Sequence, residues 1–313
     1  MPASELAAST KPLCWLADEL LIVGGAAILG GPPKSGKSYF ALELCVAIAS
    51  GTPCAARFKV PTPGRVTLFC AEDPPAVVVN RLTSLARSRG FTLDQLPIDV
   101  IVEPDGVRLP EGLARLAATI AKSPHSLVLL DPLIRLHRAD ENSAAEMSVI
   151  LDGIRALARA STTAVLLVHH TRKAPAGASP GASFRGSSDL SAFGDTNLYF
   201  KKLGSDGAVE LRIEHRASAC PPPARFRLVI DEAALPLSRF VPIHDERADN
   251  PLAPRIRAAL QGATGPISSR ALRDILGVRN QAVADSLRTL LAEGRVRRVG
   301  RDGWTCRAEA STP

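Results

Sequence analysis

The chain has 313 residues, 46% of them hydrophobic, which is enough to bury a sizeable core and excludes wholesale disorder. It contains no run of about 18 apolar residues, and its polar first eleven residues lack the core of a signal peptide, so we expect a cytoplasmic protein without a membrane span. The six cysteines form no C-x-x-C pair, which argues against a zinc site or a disulfide framework.

The net charge of +7 is unevenly placed along the chain. From residue 251 to the end there are eleven Arg, no Lys and five Asp or Glu, which gives this segment +6 of the total. Such asymmetry favours a basic C-terminal module with a polyanionic partner. The alternative is an Arg-rich solvated surface, and the element pattern of the tail favours the first interpretation.

A phosphate-binding motif follows the first predicted core strand. Residues 13–23 predict a short helix or lid, and Ala26–Leu29 reads as a buried strand. Between this strand and an amphipathic helix over Tyr39–Ile48 lies G-P-P-K-S-G-K-S, which fits the P-loop pattern G-x4-G-K-[ST]. Its glycines permit a tight loop whose N–H groups cradle phosphates, Lys37 supplies a positive charge, and the Ser38 hydroxyl ligates Mg²⁺. The alternative is an ordinary Gly-rich turn. The predicted ATP-binding residues are Gly31, Pro32, Pro33, Lys34, Ser35, Gly36, Lys37, Ser38 and Tyr39.

A carboxylate follows the second predicted core strand. Gly64–Cys70 is a β-branched and apolar run that reads as a strand, and Glu72 and Asp73 separate it from a helix over Pro75–Arg89. Because ligands bind beyond the carboxyl ends of parallel strands, Glu72 should lie at the same edge as the P-loop. A carboxylate there can orient and polarise the attacking water, so we assign Glu72 as the catalytic base and Asp73 as the helix cap. The alternative is that Glu72 merely caps the helix.

Two further predicted strands end in polar residues. Ser126–Asp131 is an apolar run ending in Asp, the form in which a buried strand delivers one carboxylate to Mg²⁺. Ala164–Val168 is a strand followed by His169 and His170, and a polar residue there would lie beside the γ-phosphate and could sense it. The doubled histidine could instead be a metal site, although no third ligand is evident nearby. We favour the sensor.

Several cations lie in segments that read as loops. Arg135 and Arg138 closely follow the predicted Asp131 strand. A stretch over residues 171–188 is rich in Gly, Ala, Ser and Pro, so it cannot bury a core and should be a loop. Its position after the candidate sensor favours a functional loop over a plain linker. The cations of this loop are Arg172, Lys173 and Arg185.

The last predicted strands of the large domain lead to a linker. Residues 197–202 and 208–214 read as two strands joined by a turn, and residues 226–230 read as a further strand. Arg216, just after the second of these strands, could reach the γ-phosphate of a neighbouring subunit as an arginine finger. Residues 235–250 then read as a linker, with prolines marking the boundary.

The tail has the pattern of a winged helix, which is a small fold used to bind DNA. Side chains at the start of its third helix, the recognition helix, would meet base edges or phosphates, and the basic hairpin could lie along the DNA backbone. The alternative is a winged helix used for protein contacts. The predicted elements are helices over 255–260, 268–276 and 280–293 and a hairpin over 294–306. The predicted DNA-binding residues are Arg279, Asn280, Gln281, Arg297 and Arg298.

Residues from about Trp15 to Arg216 resemble the RecA-like AAA_25 family of P-loop ATPases, and within it the hexameric replicative helicases of plasmids. The resemblance implies Glu72 as the catalytic carboxylate, Asp131 at Mg²⁺ and His170 as the phosphate-linked switch. The matching stretches, in the order of the family, are Gly30–Ser38, Ala71–Pro75, Leu130–Asp131 with the R-L-H and E-N-S that follow, His169–His170 and Arg185–Ser188.

The resemblance also bears on partners. It implies that the loops after Asp131 and His170 face a central channel that can hold single-stranded DNA, and that Arg216 falls where the family keeps a basic residue serving the adjacent subunit. A winged-helix tail is not part of the plasmid helicases. The DNA-binding residues implied for the two loops are Arg135, Arg138, Arg172, Lys173 and Arg185.

We therefore expect an α/β fold: a RecA-like P-loop NTPase core with a mostly parallel central sheet over residues 1–240, a linker over 241–252 and a small C-terminal winged-helix domain over 253–308. The expected function is ATP hydrolysis with Mg²⁺ by a homo-hexameric, helicase-like ring acting on DNA in replication or recombination. Single-stranded DNA would pass the ring loops, and duplex DNA would bind the winged helix. The alternatives are an ATP-controlled DNA-binding regulator without strand separation, and a nucleotide-gated scaffold.

Overall fold

The computed structural model describes residues 2–5, 12–101, 108–171, 188–204, 207–231, 236–243, 252–292, 294–300 and 303–306. The chain divides into two compact units, residues 1–243 and residues 244–313. Within the described ranges, no helix is long and apolar enough to cross a membrane.

A nine-stranded sheet forms the centre of the first unit. The strands of this unit are β1 (Trp15–Ala17), β2 (Leu21–Ile22), β3 (Ala26–Gly31), β4 (Val66–Cys70), β5 (Ile98–Ile101), β6 (Leu127–Asp131), β7 (Ala164–His170), β8 (Thr196–Lys202), β9 (Ala208–His215), β10 (Ala224–Asp231) and β11 (Leu237–Pro242). The helices are α1 (Lys37–Ser50), α2 (Pro75–Arg87), α3 (Leu113–Lys122), α4 (Ala144–Ser161) and α5 (Ser188–Phe193), with short 3₁₀ turns at Leu93–Gln95 and Leu133–Arg135. The sheet has the order β11-β10-β9-β8-β3-β7-β6-β4-β5.

Most of the sheet is parallel. Six adjacent strands are parallel to one another, in the order β8, β3, β7, β6, β4 and β5. Beyond β8, the sheet continues through antiparallel pairs with β9, β10 and β11. Strands β3, β4 and β6 are buried at every residue, as their apolar sequences predict for strands covered on both faces. The predicted α/β fold with a mostly parallel central sheet is confirmed.

Helices cover both faces of the sheet. On one face α1 and α2 pack in a core that includes Phe40 and Leu29, and on the other α3 and α4 pack in a core that includes Ile154 and Ile28. Ile28 and Leu29 are adjacent on β3 and enter different cores because successive side chains of a strand point to opposite faces. Because the helices cover the faces of the sheet, the carboxyl ends of the parallel strands lie at an edge where a ligand site can form.

The helix or lid predicted over residues 13–23 is wrong. β1 and β2 form an antiparallel pair in which Trp15 lies opposite Ile22. The turn between them holds Glu19 at a φ of +60°, and the Trp15 ring packs edge-on against His215 with ring centroids 5.1 Å apart. The two strands pair with each other, and apolar residues around the tight turn are buried in the core on one face of the central sheet, so a helix does not form.

The linker predicted from residue 235 is wrong in its first part. β11 occupies residues 237–242 and pairs with β10 along its whole length. Ser238 and Phe240 are buried while their neighbours are more exposed, which is the alternation of an edge strand. Pro242 is tolerated because an edge strand needs hydrogen bonds on one side only. The strand therefore runs two residues into the linker predicted over 241–252.

The second unit contains three helices and a small sheet among its described residues. Its elements are α6 (Ala253–Gln261), β12 (Ile267–Ser268), α7 (Ser269–Leu276), α8 (Asn280–Ala292), β13 (Val296–Val299) and β14 (Gly303–Cys306). The strands pair antiparallel in the order β12-β14-β13. The Ser268 side chain accepts a hydrogen bond from the Ala271 N–H at 3.1 Å and so caps α7. The core includes Ile256, Leu272 and Leu287.

Candidate nucleotide site

The loop between β3 and α1 has a backbone that only certain residues can adopt. Gly36, which precedes the first residue of α1, has a φ of +92°, a value that L side chains rarely adopt. A Cβ atom on Gly31 would lie 2.4 Å from the carbonyl oxygen of Phe200 on β8. Both glycines of the motif are thus required by geometry. The loop opens at the N-terminus of α1, where free N–H groups and the helix dipole favour a bound anion.

The side chain of Lys37, the first residue of α1, is a buried cation beside this loop. Its Nζ donates to the carbonyl oxygen of Pro32 at 2.8 Å and lies 3.4 Å from Nδ1 of His170. Burial lowers the pKa of Lys37 to about 8, and the carboxylates of Asp131 and Glu72 oppose this shift. The ammonium group therefore remains protonated near neutral pH, in the position from which a P-loop lysine contacts phosphate oxygens.

Asp131 ends β6 beside the start of α1. Its carboxylate is buried and accepts a hydrogen bond from the Ser38 side chain. Burial raises the pKa of Asp131 to about 6, while the Ser38 hydrogen bond and the charge of Lys37 act in the opposite direction. An all-oxygen donor pair is the chemistry that Mg²⁺ prefers, and a cation would offset the desolvation of the carboxylate. Ser38 and Asp131 therefore fit the metal expected with a bound nucleotide.

Glu72 and His170 approach this group from two further strands. Glu72 lies just beyond β4, and its Oε2 is 4.0 Å from Nε2 of His170 at the end of β7. The Glu72 side chain is 54% exposed, so a water molecule can reach it. His170 touches Lys37 with one ring nitrogen and approaches Glu72 with the other. The ends of β3, β4, β6 and β7 thus bring together the five residues to which the sequence assigned the main chemical roles.

His169 and His170 do not act together. Successive residues of β7 point to opposite faces, and Nδ1 of His169 lies 3.5 Å from Oε1 of Glu141, away from the P-loop lysine that His170 contacts. No group of three His, Cys, Asp or Glu residues suited to a metal ion occurs in the part of the chain that the structure describes. The metal alternative for the doubled histidine therefore gains no support.

Two residues near the site have partners that the sequence did not predict. Asp73 pairs with Arg81 of α2 at 2.5 Å, and Pro74 is the N-cap of α2 with no side-chain capping bond, so the capping role predicted for Asp73 is wrong. The Tyr39 hydroxyl donates to Oγ of Ser238 on β11 at 2.6 Å. The Arg81 guanidinium also lies 5.6 Å from the centroid of the Tyr39 ring. Sequence reasoning missed Arg81 because its two partners come from different elements.

The other predicted residues of the first unit are scattered around this site. Arg216 follows β9, and its guanidinium donates to the carbonyl oxygen of Ala192 in the same chain. Arg135 and Arg138 are exposed in the segment between β6 and α4. The remaining predicted loop cations, Arg172, Lys173 and Arg185, lie outside the described residues.

The predicted DNA-binding residues of the second unit are exposed at the start of α8 and on β13. Arg279 immediately precedes α8, and the Gln281 side chain donates to Oδ1 of Asp285 at 3.1 Å. Asn280 is the first residue of that helix. On β13, Arg297 and Arg298 are both exposed.

The site and sheet are those of a P-loop ATPase with a RecA-like fold. The AAA_25 family model, which describes an AAA domain, matches residues 1–176, more than half of the chain, and the chain therefore belongs to the AAA_25 family. Fold and family together support an ATPase.

Two solved structures are similar in fold. A DnaB-like replicative helicase, studied with its interactions with primase, matches with a TM-score of 0.55 and 15% identity over 76% of this chain and 64% of that one. The crystal structure of the RadB recombinase gives a TM-score of 0.48 and 20% identity over 67% of this chain and 89% of that one. At these identities the likeness concerns the fold. The match also spans less than two thirds of the helicase chain.

Proposed function

We propose that the first unit binds ATP with Mg²⁺ and hydrolyses it, and that the protein is a cytoplasmic motor acting on DNA. One observation carries the proposal. A buried lysine, a hydroxyl–carboxylate pair and a histidine–glutamate pair converge at the ends of four neighbouring strands. If this arrangement were only structural, nothing would offset the desolvation free energy of burying the charges of Lys37 and Asp131.

Each side chain has a defined task in this proposal. Mg²⁺ held at Ser38 and Asp131 would supply positive charge against the phosphates. Lys37 contacts phosphate oxygens, and Ser38 and Asp131 hold the metal through oxygen atoms. Glu72 orients the attacking water and accepts its proton. His170 lies between Lys37 and Glu72, so it is placed to respond to whether the γ-phosphate is present.

The partner that we propose is DNA, bound by a ring of six copies. Exposed cations in the segment after β6 support contacts with the phosphates of single-stranded DNA, and we propose the same role for the cations of the loop over 171–188. The resemblance of the sequence to the hexameric replicative helicases of plasmids supports the ring. Arg216 is proposed to serve the site of the adjacent copy. Strand separation, as in replication or recombination, is the finer form of this proposal.

A second candidate function rests on the second unit. We propose that residues 253–308 form a winged-helix domain, because a three-helix core with a capped second helix is followed by a basic hairpin. Exposed Arg279, Asn280 and Gln281 at the start of α8 support contacts with duplex DNA. In this reading the protein is a DNA-binding regulator whose assembly is controlled by ATP, without strand separation.

One set of measurements separates the two candidates. ATPase rate and oligomer size are measured with no DNA, with single-stranded DNA and with duplex DNA, using Lys37→Ala as the inactive control. Stimulation by single-stranded DNA together with a ring-sized species supports the motor. A protected duplex sequence without stimulation or strand separation supports the regulator. Lack of any DNA binding at low salt contradicts both, and hydrolysis by Lys37→Ala at the normal rate contradicts the site itself.

A further inference from the structure

The segment between β6 and α4, residues 132–143, carries two exposed arginines, and other residues of the segment are buried in the core. Leu133 and Leu136 belong to the core on the α3 and α4 face of the sheet. His137 is buried as well, whereas Arg135 and Arg138, on either side of Leu136 and His137, are exposed. The positions of the two guanidinium groups therefore depend on how the inner residues of the segment are held.

One carboxylate links this segment to the central sheet. Oε1 of Glu141 lies 3.9 Å from Nε2 of His137 in the same segment and 3.5 Å from Nδ1 of His169 on β7. Both histidine side chains are at most 2% exposed, and that of Glu141 is 13% exposed. Burial lowers the pKa of His137, so the Glu141 carboxylate approaches a neutral imidazole there rather than an opposite charge. Because the cluster is largely shielded from water, a change in the position of this carboxylate is felt by both rings.

The same strand reaches the candidate nucleotide site one residue later. His170 points to the opposite face of β7 from His169, and there it contacts Lys37 and approaches Glu72. A shift of β7 that follows a change at His170 must also move His169, because the two residues share one peptide unit. Glu141 therefore lies between the candidate γ-phosphate sensor and the exposed arginines.

Residues other than Glu141 cap the start of α4. The Ser143 side chain accepts a hydrogen bond from the Glu146 N–H, and the Glu146 carboxylate accepts one from the Asp140 N–H at 3.0 Å. Those two bonds join the end of the segment to the first turn of α4. A buried carboxylate between two imidazoles gives little stability beyond what apolar packing would provide, so its presence calls for another explanation.

We propose that Glu141 is a positioning residue that couples the state of the nucleotide site to the placement of Arg135 and Arg138 on DNA. The inference rests on the proposed function. In this proposal the segment exchanges between the arrangement described here and a second one. Nucleotide biases the exchange through His170 and β7, and DNA biases it through the arginines. Coupling of this kind is reciprocal, so nucleotide must change DNA affinity by the same factor as DNA changes nucleotide affinity.

The test uses Glu141→Gln in the full chain, with Glu146→Gln in the first turn of α4 as the matched control. ATPase rates are measured with and without single-stranded DNA, and DNA affinity is measured with and without a non-hydrolysable ATP analogue. For Glu141→Gln we expect a basal rate within about twofold of wild type. We also expect a loss of about fivefold or more in the effect of the analogue on DNA affinity, the lower range of typical coupling. Glu146→Gln should keep both couplings.

The outcomes separate the inference from the proposed function. If single-stranded DNA neither binds nor stimulates the wild type, the proposed function fails and this inference fails with it. If the wild type is stimulated and Glu141→Gln is stimulated equally, only the inference is overturned. A parallel fall of basal and stimulated rates would mean a structural role. Should Glu141→Gln unfold, Glu141→Asp is used instead, since it keeps the charge but withdraws it from His169 and must also lose the coupling.

Discussion

Replacing Asp131 by Asn should stabilise the free protein while abolishing hydrolysis. The Asp131 carboxylate is buried, and burial raises its pKa from 3.8 to about 6. Because the folded pKa lies above the unfolded value, the ionised carboxylate destabilises the fold at pH 7. Asn keeps an oxygen that can accept the Ser38 hydrogen bond, but it carries no charge to desolvate and cannot replace the carboxylate at Mg²⁺.

The magnitude follows from the pKa shift. A rise from 3.8 to about 6 corresponds to roughly 3 kcal/mol, at about 1.4 kcal/mol for each pKa unit. The gain of Asp131→Asn at pH 7 is therefore up to about 3 kcal/mol, a figure that already includes the attraction of the carboxylate to Lys37. For a unit of this size that corresponds to a rise in Tm of roughly 6–12 °C. The gain should shrink as the pH falls from 6 towards 3.8, because protonation then removes the penalty from the wild type.

The assay is urea and thermal unfolding at pH 7 and pH 4.5, in EDTA and without nucleotide. Asp152→Asn is the control, because Asp152 is 70% exposed and its loss should change stability by less than about 1 kcal/mol. Excess Mg²⁺ and ATP should stabilise the wild type much more than Asp131→Asn. A variant that is less stable than wild type at pH 7, or a gain that is independent of pH, would refute the reasoning.

Three other variants test the site and its support. Glu72→Gln should bind ATP normally and lose turnover, as shown by nucleotide titration beside single-turnover rates; equal loss of both would assign Glu72 a structural role. Arg89→Ala should cost about 3–5 kcal/mol in urea unfolding, because it strips the partner from the buried Glu43 carboxylate, and a second change to Glu43→Gln should restore part of it. Gly31→Ala should destabilise the protein and weaken ATP binding, because its Cβ would lie 2.4 Å from the Phe200 carbonyl oxygen; a variant with wild-type Tm and affinity would contradict the close approach.

Features carried by local sequence were predictable. The P-loop, the strand ending in Asp131 and the carboxylate after β4 each depend on a short pattern in which an apolar run is followed by a polar residue. Because parallel strands place their carboxyl ends at one edge, those separate patterns also predicted that Lys37, Glu72 and His170 would lie together. The structure brings them within hydrogen-bonding or ion-pair distances.

Features that depend on distant partners were not predictable. β11 pairs with β10, and its prolines at both ends give it the sequence of a linker. Arg81 joins Asp73 and Tyr39 although these residues belong to different elements. Glu141 and His169 are 28 positions apart, and nothing in the sequence around either residue indicates the other. Pairings of this kind are set by the packing of the sheet and its helices, which one sequence does not reveal.

The position of β11 has a practical consequence for separating the two units. A chain cut after residue 240, the boundary that composition alone suggests, would lose the end of this strand. It would also lose the bond at 2.8 Å from the N–H of Ile243 to the carbonyl oxygen of Arg225. Fraying there would loosen Ser238, whose Oγ accepts a hydrogen bond from the Tyr39 hydroxyl. Tyr39 directly follows Ser38 in the chain. An isolated ATPase fragment should therefore extend through Ile243. In a shorter fragment, a weaker nucleotide affinity would reflect the loss of these contacts and not the nucleotide site itself.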